Sequence, residues 1–191
     1  MAIINETLNL IHERRSIRKF TAEPLTEDQI STLTEAALAS PSAMNSQPWR
    51  FHFISNPEII AQINQAAQAK FTESGNQIIL DRLAERQATS IFYGAPLVVV
   101  VSIPSNSKTG YALIDVGIAV ENIILAAQSL GLGSCVIGMA DAAFSGFPRM
   151  TIGRAIQMPE DHDFAISLAI GHPAMTKSAH PVLPDRLVRI D

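Results

Sequence analysis

The chain has 191 residues, 47% of them apolar, a formal net charge of −4 and one cysteine, Cys135. That length and apolar content suit one domain over residues 1–191 with a sizeable core. A lone cysteine excludes an intramolecular disulfide framework and fits a reducing compartment, while the mild acidity argues against bulk binding to nucleic acid or an anionic membrane. Residues 1–6 lack the charged and apolar regions of a secretory leader, so a cytoplasmic location is expected.

In chain order, apolar residues at Ile3, Ile4, Leu8, Leu10 and Ile11 predict a helix over residues 3–13. It runs into Arg14-Arg15-Ser16-Ile17-Arg18-Lys19-Phe20, which holds four of the fourteen Lys and Arg residues of the protein. Thr26-Glu27-Asp28-Gln29 reads as a capping box, followed by Ile30, Leu33, Ala37 and Leu38 at helical spacing. Pro41 ends that helix near Ser40. Residues 49–54 read as a strand. Pro57 opens another helix through Ile59, Ile60, Ile63 and Ala67, and a further helical run spans residues 77–89.

The run Val98-Val99-Val100-Val101, within residues 96–103, predicts a strand buried on both faces. Residues 111–130 form a long helix, apolar almost all round, which suits a core or an oligomer interface. Asp115, Glu121, Asn122 and Gln128 argue against a membrane span. Gly131 ends the helix and residues 134–137 form a short strand. Further on, Phe164, Ile166, Leu168 and Ile170 alternate with Ala165, Ser167, Ala169 and Gly171, giving one bulky and one small face. From Pro173 the chain is expected to run extended over a surface, that of another subunit included. Strands interleaved with helices without a strict βα repeat favour α+β, or an irregular α/β sandwich, over a doubly wound fold.

Several motifs fail. Gly131-Leu132-Gly133 lacks the third glycine of a dinucleotide fingerprint and stands between a helix and a strand in the wrong order. The five histidines show no metal-ligand spacing, and no metal site is expected. Cys135 reads as a small core residue, and Asp161-His162-Asp163 as a polar turn. No nucleophile elbow is present.

Two segments carry chemistry. The arginines of residues 14–18 offer planar donor forks suited to phosphate, with Ser16 as a neutral donor between them. Cations at the end of a helix also simply complement its dipole, so a solvated helix end is the competing reading. Pro41-Ser42-Ala43-Met44-Asn45-Ser46-Gln47-Pro48-Trp49 joins a helix to a strand. It is turn-forming, yet Asn45 and Gln47 each carry a donor and an acceptor in one plane, as needed to read a flat heterocycle. Together the two segments suit a ligand with a phosphate at one end and a heterocycle at the other, the anatomy of flavin mononucleotide (FMN).

The Arg-Arg-Ser-Ile-Arg-Lys-Phe run, followed by Pro-Ser-Ala-Met-Asn-Ser-Gln-Pro-Trp, resembles the FMN-dependent nitroreductase family. Residues 96–101, the helix around Gly117–Gly131, Cys135–Gly138, and Met158–His162 leading into Ile170–Pro173 resemble its later blocks. The resemblance implies an α+β sandwich, a central mixed sheet flanked by helices, assembled as an intertwined homodimer with two FMN sites at the interface. Arg14 and Ser16 would hold the phosphate with Arg15 nearby, and Arg18 would lie at the pyrimidine edge and tune the flavin. Pro41, Ser42, Ala43 and Asn45 would come from the partner subunit, and Gln47 would lie near the ring. Ile137 and Gly138 would approach the ring through their backbone. Hydride would pass from NAD(P)H through flavin N5 to a small acceptor such as a nitroaromatic, quinone or enone, in ping-pong fashion, with no catalytic side chain required. The alternatives are a flavin-binding module without turnover, or a member specialised in deiodination or flavin breakdown. Many relatives carry a basic phosphate partner near the C-terminal proline; here Val182-Leu183-Pro184 stands there, leaving Lys177 or His180 as substitutes. Phe71, Phe92, Tyr93, Phe144 and Phe147 are possible walls of an acceptor pocket, with core packing as the plainer role.

Overall fold

Local chemistry sets the first elements. Asn5, not Ile3, opens helix α1 (Glu6–Glu13): its side chain accepts the Leu8 N–H, and Ile3 and Ile4 lie outside the helix, exposed. The predicted capping box is present at helix α2 (Glu27–Leu38), with Thr26 and Gln29 satisfying each other's backbone N–H. Strand β1 (Arg50–Ile54) follows, then helix α3 (Pro57–Glu73), with Asn56 as its cap and Pro57 in its first turn, and helix α4 (Gln77–Glu85). These are features of a computed structural model that describes residues 3–107 and 109–190. Met1 and Ala2, on which part of the leader reading rests, lie outside the described residues.

The valine run forms strand β2 (Leu97–Pro104), buried from Leu97 to Ser102. Helix α5 (Ala112–Ser129), strand β3 (Gly133–Ile137), helix α6 (Pro148–Ala155) and strand β4 (His162–Gly171) complete the elements. The sheet order is β1-β2-β4-β3, and every pairing among these strands is antiparallel. The expected mixed character reduces to one parallel bridge, Ser16 with Ser134.

The sheet divides two cores. On one face, Val98, Val100, Cys135, Ile137 and Ala169 pack with α3, α4 and residues 139–144. On the other, Leu97, Val99, Val101, Leu168 and Ile170 pack with Leu33 and Ala37 of α2 and the inner residues of α5. By length and composition α5 could cross a membrane. Here eight of its residues are buried, from Ala112 to Ala127.

The alternation expected along residues 164–171 breaks once. Val101 pairs with Ile166 and Ser102 with Phe164, so Ala165 is an extra residue in β4. Ile166 therefore faces the α5 side, whereas Phe164 faces the other core and stacks on Phe144 at 5.0 Å. Only Asp161 of Asp161-His162-Asp163 sits in a turn; His162 and Asp163 belong to β4. His162 enters a buried polar chain. The Ile156 carbonyl lies 2.8 Å from His52 Nδ1, so that nitrogen must donate; Nε2 then accepts from the Ser102 hydroxyl at 3.0 Å. Ser102 Oγ in turn accepts from His162 Nδ1 at 3.1 Å. Burial holds the His52 imidazole below its ordinary pKa, which agrees with this neutral tautomer.

Candidate functional site

The arginine-rich segment is not a solvated helix end. Helix α1 stops at Glu13, and Arg14 is already extended, with φ −55° and ψ 132°. Ile17 N–H donates to the Ser134 carbonyl at 2.9 Å, Ser16 bridges Ser134, and Phe20 bridges Pro173. Thr21 N–H to His172 O (3.0 Å) and Ala174 N–H to Lys19 O (2.9 Å) complete the seam. Extended backbone alternates its side chains. Ile17 is buried, so Arg14, Ser16 and Arg18, all half-buried, share the other side.

The glycines rejected as a dinucleotide motif make this seam possible. Gly131 takes φ +72° as α5 ends, with Leu132 N–H returning to the Ala127 carbonyl at 2.9 Å. A Cβ on Gly133 would stand 3.0 Å from the Ile17 side chain, so glycine lets the segment lie flat on β3.

The cations have distinct partners. Arg15 Nη1 donates to the carbonyls of His12 (2.6 Å) and Arg14 (2.8 Å), closing the end of α1, and its buried Nε has no partner. Arg15 thus takes the helix-end role that the sequence offered to the whole cluster. Arg14 Nε approaches Glu121 Oε1 of α5 at 3.8 Å. Arg18 Nη1 reaches the Ser16 carbonyl at 3.4 Å, and its backbone N–H meets Met175 Sδ at 3.3 Å. Burial pushes the Cys135 thiol up, while Arg18, Lys177, Arg86 and Arg14 pull it down. Lys177 and Arg15 also line a cavity of about 250 Å³ with Gln128 and Gly131. Cys135 itself is a core residue, as expected.

The second segment is held in a different way. Residues Ala43–Asn45 form one 3₁₀ turn, and Met44, Asn45 and Gln47 take φ of 54°, 52° and 42°. Non-glycine residues in this left-handed region cost on the order of 1 kcal/mol each. Gln47 N–H donates to Ser42 Oγ and Gln47 Nε2 to Asn45 Oδ1, both at 2.9 Å. Ala43 N–H donates to Asp115 Oδ1 of α5 at 3.0 Å, and Asn122 Nδ2, also on α5, donates to Ser40 Oγ at 2.9 Å. Asp115 is only 3% exposed, and its Oδ2 has no partner. Sequence reasoning noted Asp115 only as an interruption of an apolar helix. Its place on the inner face, one residue before Val116 and four before Ala119, was the available signal.

Ile137 ends β3, buried, and its carbonyl accepts from Ser167 Oγ at 2.7 Å. Gly138 follows, exposed; a Cβ there would meet only Ile166, at 3.8 Å. The structure therefore gathers Arg14, Ser16, Arg18, Ile137 and Gly138 along β3. It sets Pro41, Ser42, Ala43, Asn45 and Gln47 apart, at the start of α5. No hydrogen bond or ion pair among the described residues joins the two groups. Both reach α5, at Glu121 and Asp115, six residues or about 9 Å of helical rise apart. Beside the loop, Pro41, Ser42 and Ala43 meet Tyr111, Ile114 and Ile118 in an open concavity of about 330 Å³.

A cavity of about 890 Å³ between α2, α3 and residues 89–97 contains none of the predicted site residues, and its Asn64 already accepts the Ile91 N–H. Phe71, Phe92, Tyr93 and Phe144 are core residues, while Phe147 is exposed. No cluster of three or more potential metal ligands occurs among the described residues.

Known proteins share this fold. A nitroreductase from Desulfitobacterium hafniense, solved with bound FMN, superposes with a TM-score of 0.93 at 34% identity, covering 99% of this chain and 100% of that one. One from Bacteroides fragilis, also with bound FMN, gives 0.87 at 26% identity, covering 98% and 100%. The NADPH-flavin oxidoreductase of Vibrio harveyi is 29% identical over 188 residues, 97% of this chain and 73% of that protein. The family model described as Nitroreductase family matches residues 11–172, from the end of α1 through the last strand. By its fold and by that match, the chain belongs to the nitroreductase family.

Proposed function

We propose that the protein is an FMN-dependent oxidoreductase, a single unit over residues 1–191. It takes hydride from NADH or NADPH and passes it to a small acceptor such as a nitroaromatic, quinone or enone, in two alternating half-reactions at one site. The observation that carries this reading is the extended seam on β3, which turns Arg14, Ser16 and Arg18 to one side of the strand that ends at Ile137, followed by Gly138.

The residues present fit FMN. Two guanidiniums and a hydroxyl on one side of a strand suit a phosphate ester, and the loop amides suit a flat ring with alternating donors and acceptors. Arg14 and Ser16 hold the phosphate, and Arg15 backs them by closing the end of α1. Lys177, which lines a cavity together with Arg15, supplies a further cation. Arg18 would supply a positive charge to the pyrimidine edge, which would favour a more electron-rich ring. Ile137 and Gly138 present backbone to the ring, with no side chain on Gly138 to block approach. FMN, when bound, supplies the hydride-carrying centre. The chain's own task is to bind it, orient it and leave one face open.

The partner-side half of the site requires a second copy of the chain, contributing Pro41, Ser42, Ala43 and Asn45, with Gln47 near the ring. Support comes from the outer face of α5, where Tyr111, Leu113, Ile114 and Ile118 are exposed, and from the tail, where Val182, Leu183, Leu187, Val188 and Ile190 are exposed. Exposed apolar residues grouped in this way suit a partner rather than water. The single buried thiol suits a reducing cytoplasm.

The purified protein is expected to be yellow and to be bleached anaerobically by NADH or NADPH, with colour restored by an added quinone. A colourless protein that gains no absorbance from FMN overturns the reading. Bound flavin that neither nucleotide reduces would make it a binding module instead.

A further inference from the structure

We propose that Asp115 is the positioning residue for the loop of residues 41–47, setting through one carboxylate oxygen the backbone shape with which that loop meets the flavin. This rests on the flavin reading for the loop's role, while its geometric part stands alone.

Within one subunit the loop is not held by burying its own tip. Met44 is 84% exposed, and Asn45, Ser46 and Gln47 are exposed with it. Three left-handed residues in so short a stretch make the shape strained, so it persists only where the surroundings dictate it. Most hydrogen bonds within the stretch are internal: Asn45 N–H to Ser42 O, Ser46 N–H to Ala43 O, Gln47 N–H to Ser42 Oγ and Gln47 Nε2 to Asn45 Oδ1. Internal bonds close a turn without fixing where it points. Among the described residues, Ala43 N–H to Asp115 Oδ1 is the hydrogen bond that ties the interior of the loop to another element. Its ends are anchored separately, by Asn122 to Ser40 and by the buried Pro48 and Trp49.

The carboxylate is an expensive way to fill space. It is buried at 3% exposure with Oδ2 unpartnered, and an apolar side chain of similar shape would avoid that desolvation. What an apolar side chain cannot do is accept the Ala43 N–H. A backbone donor to a carboxylate is a charge-assisted, directional bond. The same helix meets Arg14 through Glu121, so one rigid element carries both segments, each serving a different site of the proposed pair.

The test compares Asp115→Ala, Asp115→Asn and a control, Leu83→Ala, which opens a core cavity on α4 away from the loop. Two quantities are read: the FMN dissociation constant by equilibrium dialysis, and amide hydrogen exchange of residues 43–47. Asp115→Ala is expected to weaken FMN binding at least tenfold and to speed exchange in the loop about tenfold. Asp115→Asn keeps an acceptor oxygen and is expected to stay within threefold of the native protein in both. Leu83→Ala is expected to lower the melting temperature with FMN affinity unchanged. The assignment is overturned if Asp115→Ala leaves loop exchange unchanged, if Asp115→Asn behaves like Asp115→Ala, or if Leu83→Ala weakens FMN as much. If the native protein binds no FMN, the flavin reading falls, and loop exchange in Asp115→Ala alone decides for or against the positioning role.

Discussion

The two segments of the proposed site are held by opposite means. Residues 14–20 are secured by backbone: they lie along β3 and against Pro173, with Ile17 driven under them into the core. Of the arginines there, Arg15 is committed to the end of α1, while Arg14 and Arg18 make only the long contacts to Glu121 (3.8 Å) and the Ser16 carbonyl (3.4 Å). Residues 41–47 are secured by side chains, through Ser42, Asn45 and above all Asp115, and their backbone is strained. The first arrangement survives changes to the residues that touch a ligand. The second does not, because the atoms that shape the loop are side-chain atoms.

That contrast can be broken from the sheet side. Gly133→Ala places a methyl group 3.0 Å from Ile17 and is expected to cost about 2 kcal/mol in urea unfolding, as overpacking does. Adding Ile17→Ala should then cost clearly less than the sum of the two single changes, since the pair shares one space. Additive effects would mean that the seam is not held by this contact. A smaller effect is expected in the loop. Ser42→Ala removes the acceptor of the Gln47 N–H and should weaken the local structure by about 1 kcal/mol, seen as roughly fivefold faster exchange at that amide. The smallest change in stability belongs to Arg14→Ala. Its ion pair with Glu121 is long and partly solvated, so less than about 0.5 kcal/mol should be lost, while FMN affinity falls at least tenfold. A large stability loss there would show that the arginines hold the fold after all.

Much of the fold was legible wherever a local rule decides it. The capping box at Thr26 and Gln29, the proline opening α3 and the valine run of β2 are written in adjacent residues. The failures share a cause. The path of residues 14–20 depends on Ser134 and Pro173, which no local pattern connects to them. The break in alternation at Ala165 arises from pairing with β2 and leaves no trace in composition. Helix α6, with Arg149, Thr151 and Arg154 among eight residues, carries too weak an apolar stripe to be noticed. The chemical character of both site segments was readable. Which side chains stay free for a ligand was not, because Arg15 is spent on the end of α1 and Asp115 is recruited from seventy-odd residues further on to hold the loop.

The open face of α5 has a thermodynamic consequence. A surface carrying Leu113, Ile114 and Ile118 in water is one that a second copy can stabilise by binding, and stabilisation by binding follows mass action. For a protein that folds as it pairs, each tenfold dilution removes about 1.4 kcal/mol per dimer from the apparent stability. If the chain pairs through this face as proposed, its resistance to heat would be a function of how much of it is present.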